Sequence, residues 1–568
     1  MTQAAIHFHF VRFADIANTI VAPLYSSIMA SRCSLRRLVL ACLVLAPGIV
    51  HAAIDTNHTA AMARQARFQR TGKIAKRQDD GDDNYTCTAS KGCDIGCCGP
   101  LDDEGNGVCG LGPKFCGDGC TSTCHYKSEC DPGWGIEWSN ATDCPLNVCC
   151  SEYGFCGTAP DFCAGAVVSS PQCDIAAGSS NRRTIGYYEG WNSQRSCGTM
   201  TPEEIPKGYY THLFYSFSLI NPDTFRLEPM DSTTGSLYGS VSALKATQPE
   251  LEVWLAIGGW AMNDPGAWRT TFSDLAASES AQDEFFESLI TFMATYDYDG
   301  VDIDWEYPMA EDRGGIEADF DNFVNFISRL RNRLNNLGTP KGLSMTLPAS
   351  YWYLKGFDIV NLEPYVDFFN VMTYDIHGVW DSTIDSLGPY ARAHTNLTEI
   401  EEALKLLWRN NINPSRVNLG LGFYGRSFTM KDPGCMAAGC EFTEGGNGGA
   451  CTGTAGVLSA HEIIQIIENG ATMTLDPVAA VQIVTWDSDQ WVSWDDTETL
   501  KMKVDYANER CLGGIMVWAV DLDDGTLIKS LSDAGRETTI ILEDQPDVVP
   551  CFGSGWEGIS DNSTDGSS

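Results

Sequence analysis

The stretch DGVDIDWEYP, residues 299–308, sets three carboxylates on alternate positions of an otherwise apolar run. Asp302, Asp304 and Glu306 share one parity; Val301, Ile303 and Trp305 share the other. In a β-strand, side chains at i, i+2 and i+4 face the same side, with about 6.5–7 Å between successive members. Three anions stacked on one buried face cannot all ionise cheaply, so some must hold protons. A solvated acidic loop would not interleave its charges with apolar residues so strictly, and the run is read as a buried strand.

Seven more apolar runs lie between residue 183 and about residue 545: TIGYYEGW, THLFYSFSLI, LEVWLAIGGW, LSMTLPAS, VDFFNVMTYDIHG, VNLGLGFYGRSF and GGIMVWAVDLDD. Amphipathic stretches such as DFDNFVNFISRLRNRLNNLG and LTEIEEALKLLWRNN separate several of them. Eight β runs alternating with helical patterns predict an α/β chain folded as a (β/α)8 TIM barrel, with residues 299–308 as its fourth strand. In such a barrel the active face is built at the C-terminal ends of the strands. Glu306, Tyr374, Asp375, Tyr424, Arg426 and Trp518 fall there. Between GFYGRSF and QWVSWDDTETLKMKVDYA lie about sixty residues, more than a barrel loop needs. They carry Cys435, Cys440 and Cys451.

Fifteen of the 23 cysteines crowd into residues 87–173, a Gly-rich stretch, which indicates disulfides made in an oxidising compartment. Two unequal copies of one pattern fill it, 78–126 and 127–175. The second contains CPLNVCCSEYGFCGTAPDFC; its double Cys followed by SEYGFCG resembles the hevein-type chitin-binding module. That resemblance implies that Ser151, Tyr153, Phe155 and Phe162 hold N-acetylglucosamine units. Aromatic faces fixed by disulfides stack on sugar rings at little entropic cost; the same aromatics could instead form the mini-core of a small domain. The first copy has eight cysteines but lacks the Ser and the first two aromatics, keeping only Phe115, so a spacer role is expected. After Cys173 the last expected cysteine is missing; Cys173 is left to pair with Cys197 or to stay free. Residues 87–568 hold an odd number of cysteines, which leaves room for a disulfide-linked partner.

The net charge of -38 argues against nucleic acid and an anionic membrane as partners and is compatible with a neutral polymer. Residues 29–52 have the basic, apolar and small-residue regions of a signal peptide, and 1–28 read as an upstream extension. Residues 53–77 end in Lys76–Arg77 and read as a pro-segment; 546–568 form a polar tail. Sequons at Asn84, Asn140, Asn396 and Asn562 fit a secreted, extracellular or cell-wall chain. No metal-ligand spacing, strand-borne GxGxxG or P-loop is present, so neither metal nor cofactor is expected.

DGVDIDWE fits DxxDxDxE, the signature of family 18 glycoside hydrolases, and AIGGW, MTYD, GFYGRSF and MVWAVDLDD fall in that family's order. The resemblance covers residues 181–545 and is strongest to the chitinase branch; with the paired modules it points to fungal chitinases related to killer-toxin chitin-binding subunits. Ala256 stands where many members have Ser. The resemblance implies hydrolysis of β-1,4 links between N-acetylglucosamine residues of chitin, with net retention, by attack of the sugar's own acetamido oxygen. Glu306 is then the general acid, Asp304 orients the acetamido N–H, Asp302 exchanges charge with Asp304, and Asp299 fixes the turn. Tyr374 and Asp375 hold the acetamido carbonyl and a sugar hydroxyl, with Met372 beneath. Trp518 floors the scissile subsite; Trp260, Trp380, Phe217 and Tyr187 line its neighbours, Met516 belongs to the lining, and Tyr424 and Arg426 complete a polar wall. Residues 430–492 are implied to be an inserted α+β subdomain between strands seven and eight, walling the groove and deepening it for extended chains. Three other roles compete: a chitin lectin on the same barrel, an endo-N-acetylglucosaminidase acting on N-glycans, and a toxin's docking subunit.

Overall fold

The computed structural model describes residues 86–543, residue 385 excepted. The readings made for residues 1–77 and 546–568, and for Asn84, Cys551 and Asn562, lie outside the described residues.

Eight parallel strands close into the expected barrel: β1 Thr184–Glu189, β2 His212–Ile220, β3 Glu252–Gly258, β4 Gly300–Asp304, β5 Gly342–Pro348, β6 Phe368–Met372, β7 Val417–Gly422 and β8 Gly514–Trp518. Each pairs with the next, and β8 pairs with β1. The two parities of β4 separate as the sequence requires. Val301 and Ile303 are fully buried toward the helical layer, while Asp302 and Asp304 are buried on the opposite face, inside the barrel. Trp305 continues the apolar parity, stacked on Phe272 at 5.3 Å and edge-on to Phe323 at 5.0 Å. The helix Asp319–Asn335 buries Phe323, Phe326, Ile327, Leu330 and Leu334, a stripe at helical spacing, and opens with Asp319 and Asp321 where the helix dipole favours anions. Leu397–Trp408 begins at Asn396, whose side chain accepts the Thr398 N–H.

Between β7 and β8 an antiparallel sheet is inserted. Its strands are Tyr424–Met430, Phe442–Gly445, Val457–Ser459, Thr472–Asp476, Val481–Trp486 and Gln490–Trp494, with one helix, Ala460–Glu468. The sheet begins at Tyr424, before the expected residue 430, because the chain leaving β7 pairs at once with Val457–Ser459 and, from Arg426, with Gln490–Trp494. Tyr424 and Arg426 are thus part of the insertion and not of the barrel wall.

The twenty cysteines of the described residues form ten disulfides. The first module holds Cys87–Cys98, Cys93–Cys109, Cys97–Cys116 and Cys120–Cys124. The second holds Cys130–Cys150, Cys144–Cys156 and Cys149–Cys163. The expectation for Cys173 is corrected: it is neither free nor paired with Cys197, but bonds Cys511, beyond the helix Thr497–Glu509. Cys197 bonds Cys451 and ties the loop after β1 to the insertion. The second module is docked on the barrel. Asn410 donates to the Leu146 carbonyl at 2.9 Å, Asn147 donates to Asn410 at 2.9 Å, Arg409 donates to the Asn147 carbonyl at 3.3 Å, and Ser170 donates to Glu401 at 2.8 Å.

A disulfide that closes so long a loop restricts the unfolded chain strongly. Replacing Cys173 and Cys511 together by Ser is expected to lower the unfolding free energy by about 2–5 kcal/mol, read as an earlier urea midpoint. It should also open residues 164–182 to protease. An unchanged midpoint with retained protection would show that the docking contacts hold the module unaided.

Candidate active site

The carboxylate column rests on its deepest member. Asp302 is fully buried and accepts from three side chains: Tyr187 of β1 at 2.7 Å, Ser344 of β5, and Asn370 of β6 at 3.2 Å. Asn370 also donates to the Tyr187 hydroxyl at 3.0 Å and accepts from Asn418 of β7 at 2.9 Å; Asn418 in turn accepts from Arg183 at 2.9 Å. The parallel registers align these donors, with Asp302 opposite Ser344, and Asn370 opposite both Thr346 and Asn418. Burial pushes the Asp302 carboxyl up to about 6, with Ser344, Tyr187 and Asn370 opposing the shift. Asp304, one step up the column, accepts from Thr346. Burial, then the nearby Glu306 and Asp302, drive its proton affinity well above the carboxylate range. Glu306 lies just past the strand, 8 % exposed at the mouth; burial raises its pKa and Asp375 adds to the rise, while Arg313 lowers it.

Two glycines make room for this column. Gly258 and Gly259 both have positive φ, 111° and 81°. A Cβ on Gly258 would stand 2.2 Å from the Asp304 carbonyl, and one on Gly259 would stand 2.5 Å from the Phe217 ring. The glycine pair of AIGGW therefore lets β3 turn away against β4, and the Gly259 N–H donates to the Asp304 carbonyl at 2.9 Å. Below the column, Asp299 accepts the Val253 N–H at 2.9 Å and pairs with Lys245 at 3.0 Å, holding the starts of β3 and β4 together.

A second acidic group is held in the opposite charge state. Asp375, in a left-handed conformation with φ 57°, takes a two-pronged contact from Arg426, 2.7 Å on each oxygen, and a 2.6 Å hydrogen bond from Tyr424. Burial opposes its ionisation, but the Arg426 charge and the hydrogen bonds from His394 and Arg426 together outweigh burial and hold it well below the usual carboxylate range. Arg426 also lies over the Trp380 ring at 4.9 Å. Tyr374 is buried beside them, its hydroxyl donating only to the Met516 sulfur at 3.7 Å, a weak acceptor. Met372, half-buried, ends β6 just before.

The aromatic floor is a stack. Trp518 packs on Phe217 at 5.5 Å and on Tyr187 at 5.5 Å. Trp191, missed in the sequence although it ends the run TIGYYEGW, stacks on Phe217 at 5.9 Å. Tyr187 sits deeper than the lining position expected for it, 1 % exposed, because its hydroxyl is committed to Asp302. Met516 is fully buried beneath Tyr374 and likewise does not line an open surface. Arg195 pairs with both Glu189 and Asp521, joining the ends of β1 and β8 that carry Trp191 and Trp518. Trp260 is half-buried, its ring covered at 3.6 Å by Arg313. Arg313 also donates to the Glu306 carbonyl at 3.1 Å and to Asp264 at 2.8 Å. No motif marks Arg313; only the loop that returns from β4 brings it under Glu306.

In the second module Ser151, Tyr153, Phe155 and Phe162 come together, but not on an open surface. Phe155 and Phe162 are 5 % and 8 % exposed, in one apolar cluster with Leu111 and Ile95 of the first module and with Trp134. The Ser151 hydroxyl accepts the Phe155 N–H at 3.1 Å. Of the four, Tyr153 alone is not buried.

Comparison with known proteins agrees with this geometry. The model for glycosyl hydrolases family 18 matches residues 183–523, and that for chitin recognition protein matches 135–173, leaving the first module outside. A probable chitinase, LysM18, of Penicillium expansum is 32% identical over 465 residues, 76% of this chain and 32% of that protein. The killer toxin subunits alpha/beta of Kluyveromyces lactis are 35% identical over 357 residues, 60% of this chain and 30% of that protein. The chain thus spans about a third of the length of these curated relatives. Among solved structures, the Group II chitinase catalytic domain 2 of Ostrinia furnacalis superposes with a TM-score of 0.55 at 27% identity, covering 62% of this chain and 96% of that one. With the family model spanning more than half of its length, and the carboxylate column of β4 inside the match, the chain belongs to family 18 of the glycosyl hydrolases.

Proposed function

We propose that this chain is a secreted chitinase, acting in the extracellular space or cell wall on the β-1,4 links of N-acetylglucosamine polymers. One observation carries the proposal: a glutamate whose proton affinity is raised stands at the barrel mouth, above two buried aspartates and beside the aromatic floor. A general acid must hold its proton at working pH, and burial provides this for Glu306. Asp302 and Asp304 lie below it on the same strand, and the neighbouring Asp375 is held by Arg426 and Tyr424, which leaves the nucleophile's part to the substrate.

The chemistry follows from those positions. Glu306 gives its proton to the glycosidic oxygen as the C1–O bond breaks. The acetamido oxygen of the same sugar attacks C1 from the other face and closes an oxazolinium ring. Asp304, ionised as its proton moves within the column, accepts the acetamido N–H and stabilises the positive ring. Tyr374, whose hydroxyl has only a sulfur partner, donates to the acetamido oxygen. Asp375, kept anionic by Arg426, accepts from a sugar hydroxyl. The ionised Glu306 then takes a proton from water, which opens the ring at C1 with net retention. Trp518 floors the scissile subsite, with Phe217 and Trp191 behind it, while Trp260 and Trp380 flank the groove and Met372 packs beneath. The twenty cysteines of the described residues are all paired, so a disulfide-linked partner would use Cys551, which lies outside them.

Glu306→Gln keeps the shape and removes the acid. It is expected to cut turnover of chitin hexamer by about a thousandfold or more, within the range for a lost general acid, with oligosaccharide affinity near that of the parent. Retained turnover would overturn the acid assignment, and lost affinity would show that the change disturbed the groove.

The pH profile has a defined sign. Glu306 is active while protonated and its pKa is raised, so kcat/KM should fall as pH rises through a value above that of an ordinary glutamate. Arg313 lowers that pKa, so Arg313→Gln should move the alkaline limb upward. A limb at the ordinary glutamate value, or one that Arg313→Gln leaves in place, would contradict the assignment.

Substrate-assisted attack requires the acetyl group. A chitin oligomer deacetylated at the sugar bound in the scissile subsite should resist cleavage there, read from product sizes by mass spectrometry. Equal cleavage would exclude participation of the amide, and release of N-glycans from a glycoprotein in preference to chitin hexamer cleavage would favour the endo-N-acetylglucosaminidase role.

A further inference from the structure

The modules form a row in which each grips the next through the same loop. In the second module the residues before the double Cys, Leu146 and Asn147, hold Asn410 and Arg409 of the barrel. In the first, the corresponding Ile95 packs into the aromatic cluster of the second. The positions after the following Cys-Gly pair differ in a complementary way. The second module has Thr158 and Ala159 there, both exposed; the first has Leu111 and Gly112. Leu111 is buried among Phe155, Phe162, Tyr153 and Trp134. Gly112 has φ 78°, and a Cβ there would stand 2.6 Å from the Trp134 ring, so its bare backbone is what allows the close approach. Leu111 and Gly112, two positions at which the first module differs from the second, are thus ones that pack against the aromatic cluster of its sister.

We propose that the first module is an internal plug: Ile95 and Leu111 occupy the aromatic face of the second module that an N-acetylglucosamine oligomer would take, so that chitin binds this face only when the first module leaves it. The inference rests on the chitin-binding role proposed for the second module. Two features make the plug removable. No disulfide crosses from the first module to the second, since the bonds of residues 87–124 and of 130–163 close among themselves. Only residues 125–129 join them. The contact is apolar, with Leu111 and Ile95 against aromatic rings, and a pyranose C–H face offers those rings a similar surface. Sugar and plug then compete, and apparent affinity is reduced by the fraction of molecules that are open.

The test uses the full chain carrying Glu306→Gln, so that chitin is not consumed. Ile95→Ser with Leu111→Ser should raise retention on solid chitin on the order of tenfold, and adding Tyr153→Ala should abolish the gain. Retention no higher than the parent's, with all ten disulfides intact by mass, overturns the plug. If in that case Tyr153→Ala still lowers the parent's retention, the module binds chitin and only the plug is wrong. If Tyr153→Ala changes neither chain, the chitin-binding role itself fails. Should the double variant not fold, hydrogen exchange on the Glu306→Gln chain decides: saturating chitin hexamer should speed exchange at residues 108–115, and unchanged or slowed exchange there overturns the proposal.

Discussion

The structure depends on one buried carboxylate and the hydroxyls and amides that surround it. Asp302 lies inside a closed barrel, where an uncompensated charge is strongly disfavoured. Its donors come from β1, β5 and β6, and the network runs on through Asn370 and Asn418 to β7 and Arg183. Removing any one donor would leave buried polar atoms unpaired, which costs more than the bond itself contributes. Hydrogen bonding therefore fixes the register of these strands where an all-apolar layer would fix only their spacing. The same network grades the column. Asp302 has three donors opposing its rise to about 6, whereas Asp304 has Thr346 and two acidic neighbours and is driven well above the carboxylate range.

Asp375 shows the opposite solution to the same problem. It too is enclosed, but the insertion supplies Arg426 and Tyr424, and the ion pair keeps it anionic. A buried pair of this kind adds little net stability, yet breaking it is expensive, so it specifies geometry more than it stabilises. Here it locks the first strand of the inserted sheet onto the end of β6. The wall of the groove and the charge inside it are consequently set by one contact. Arg195 does the same between Glu189 and Asp521 on the other side, holding the ends of β1 and β8 at the spacing their tryptophans need.

The barrel and its carboxylates were legible because they leave a period in the sequence. Alternation over residues 301–306 and the helical stripe of 319–335 are local patterns, and local patterns survive without coordinates. Arg313 and Trp191 carry no such period. Each acts through a contact made when separate loops meet, Arg313 with Trp260 and Trp191 with Phe217. The partner of Cys173 was illegible for the same reason, since 338 residues separate it from Cys511 and spacing says nothing across that distance. Tyr187 was placed in the right neighbourhood but at the wrong depth, because a tyrosine at a strand end can present its ring or its hydroxyl, and only Asp302 decides which.

The aromatic positions of the second module mark a different limit. Its pattern specifies which residues share a face but not what covers that face. What covers it lies in another part of the chain, at Leu111 and Gly112 of the first module. Leu111 is buried against the aromatic rings of the neighbouring module, and the glycine after it admits the Trp134 ring. The departures of the first module are better explained by the shape of the second, and the tandem is one apolar joint shared by two frameworks that each disulfide set holds rigid.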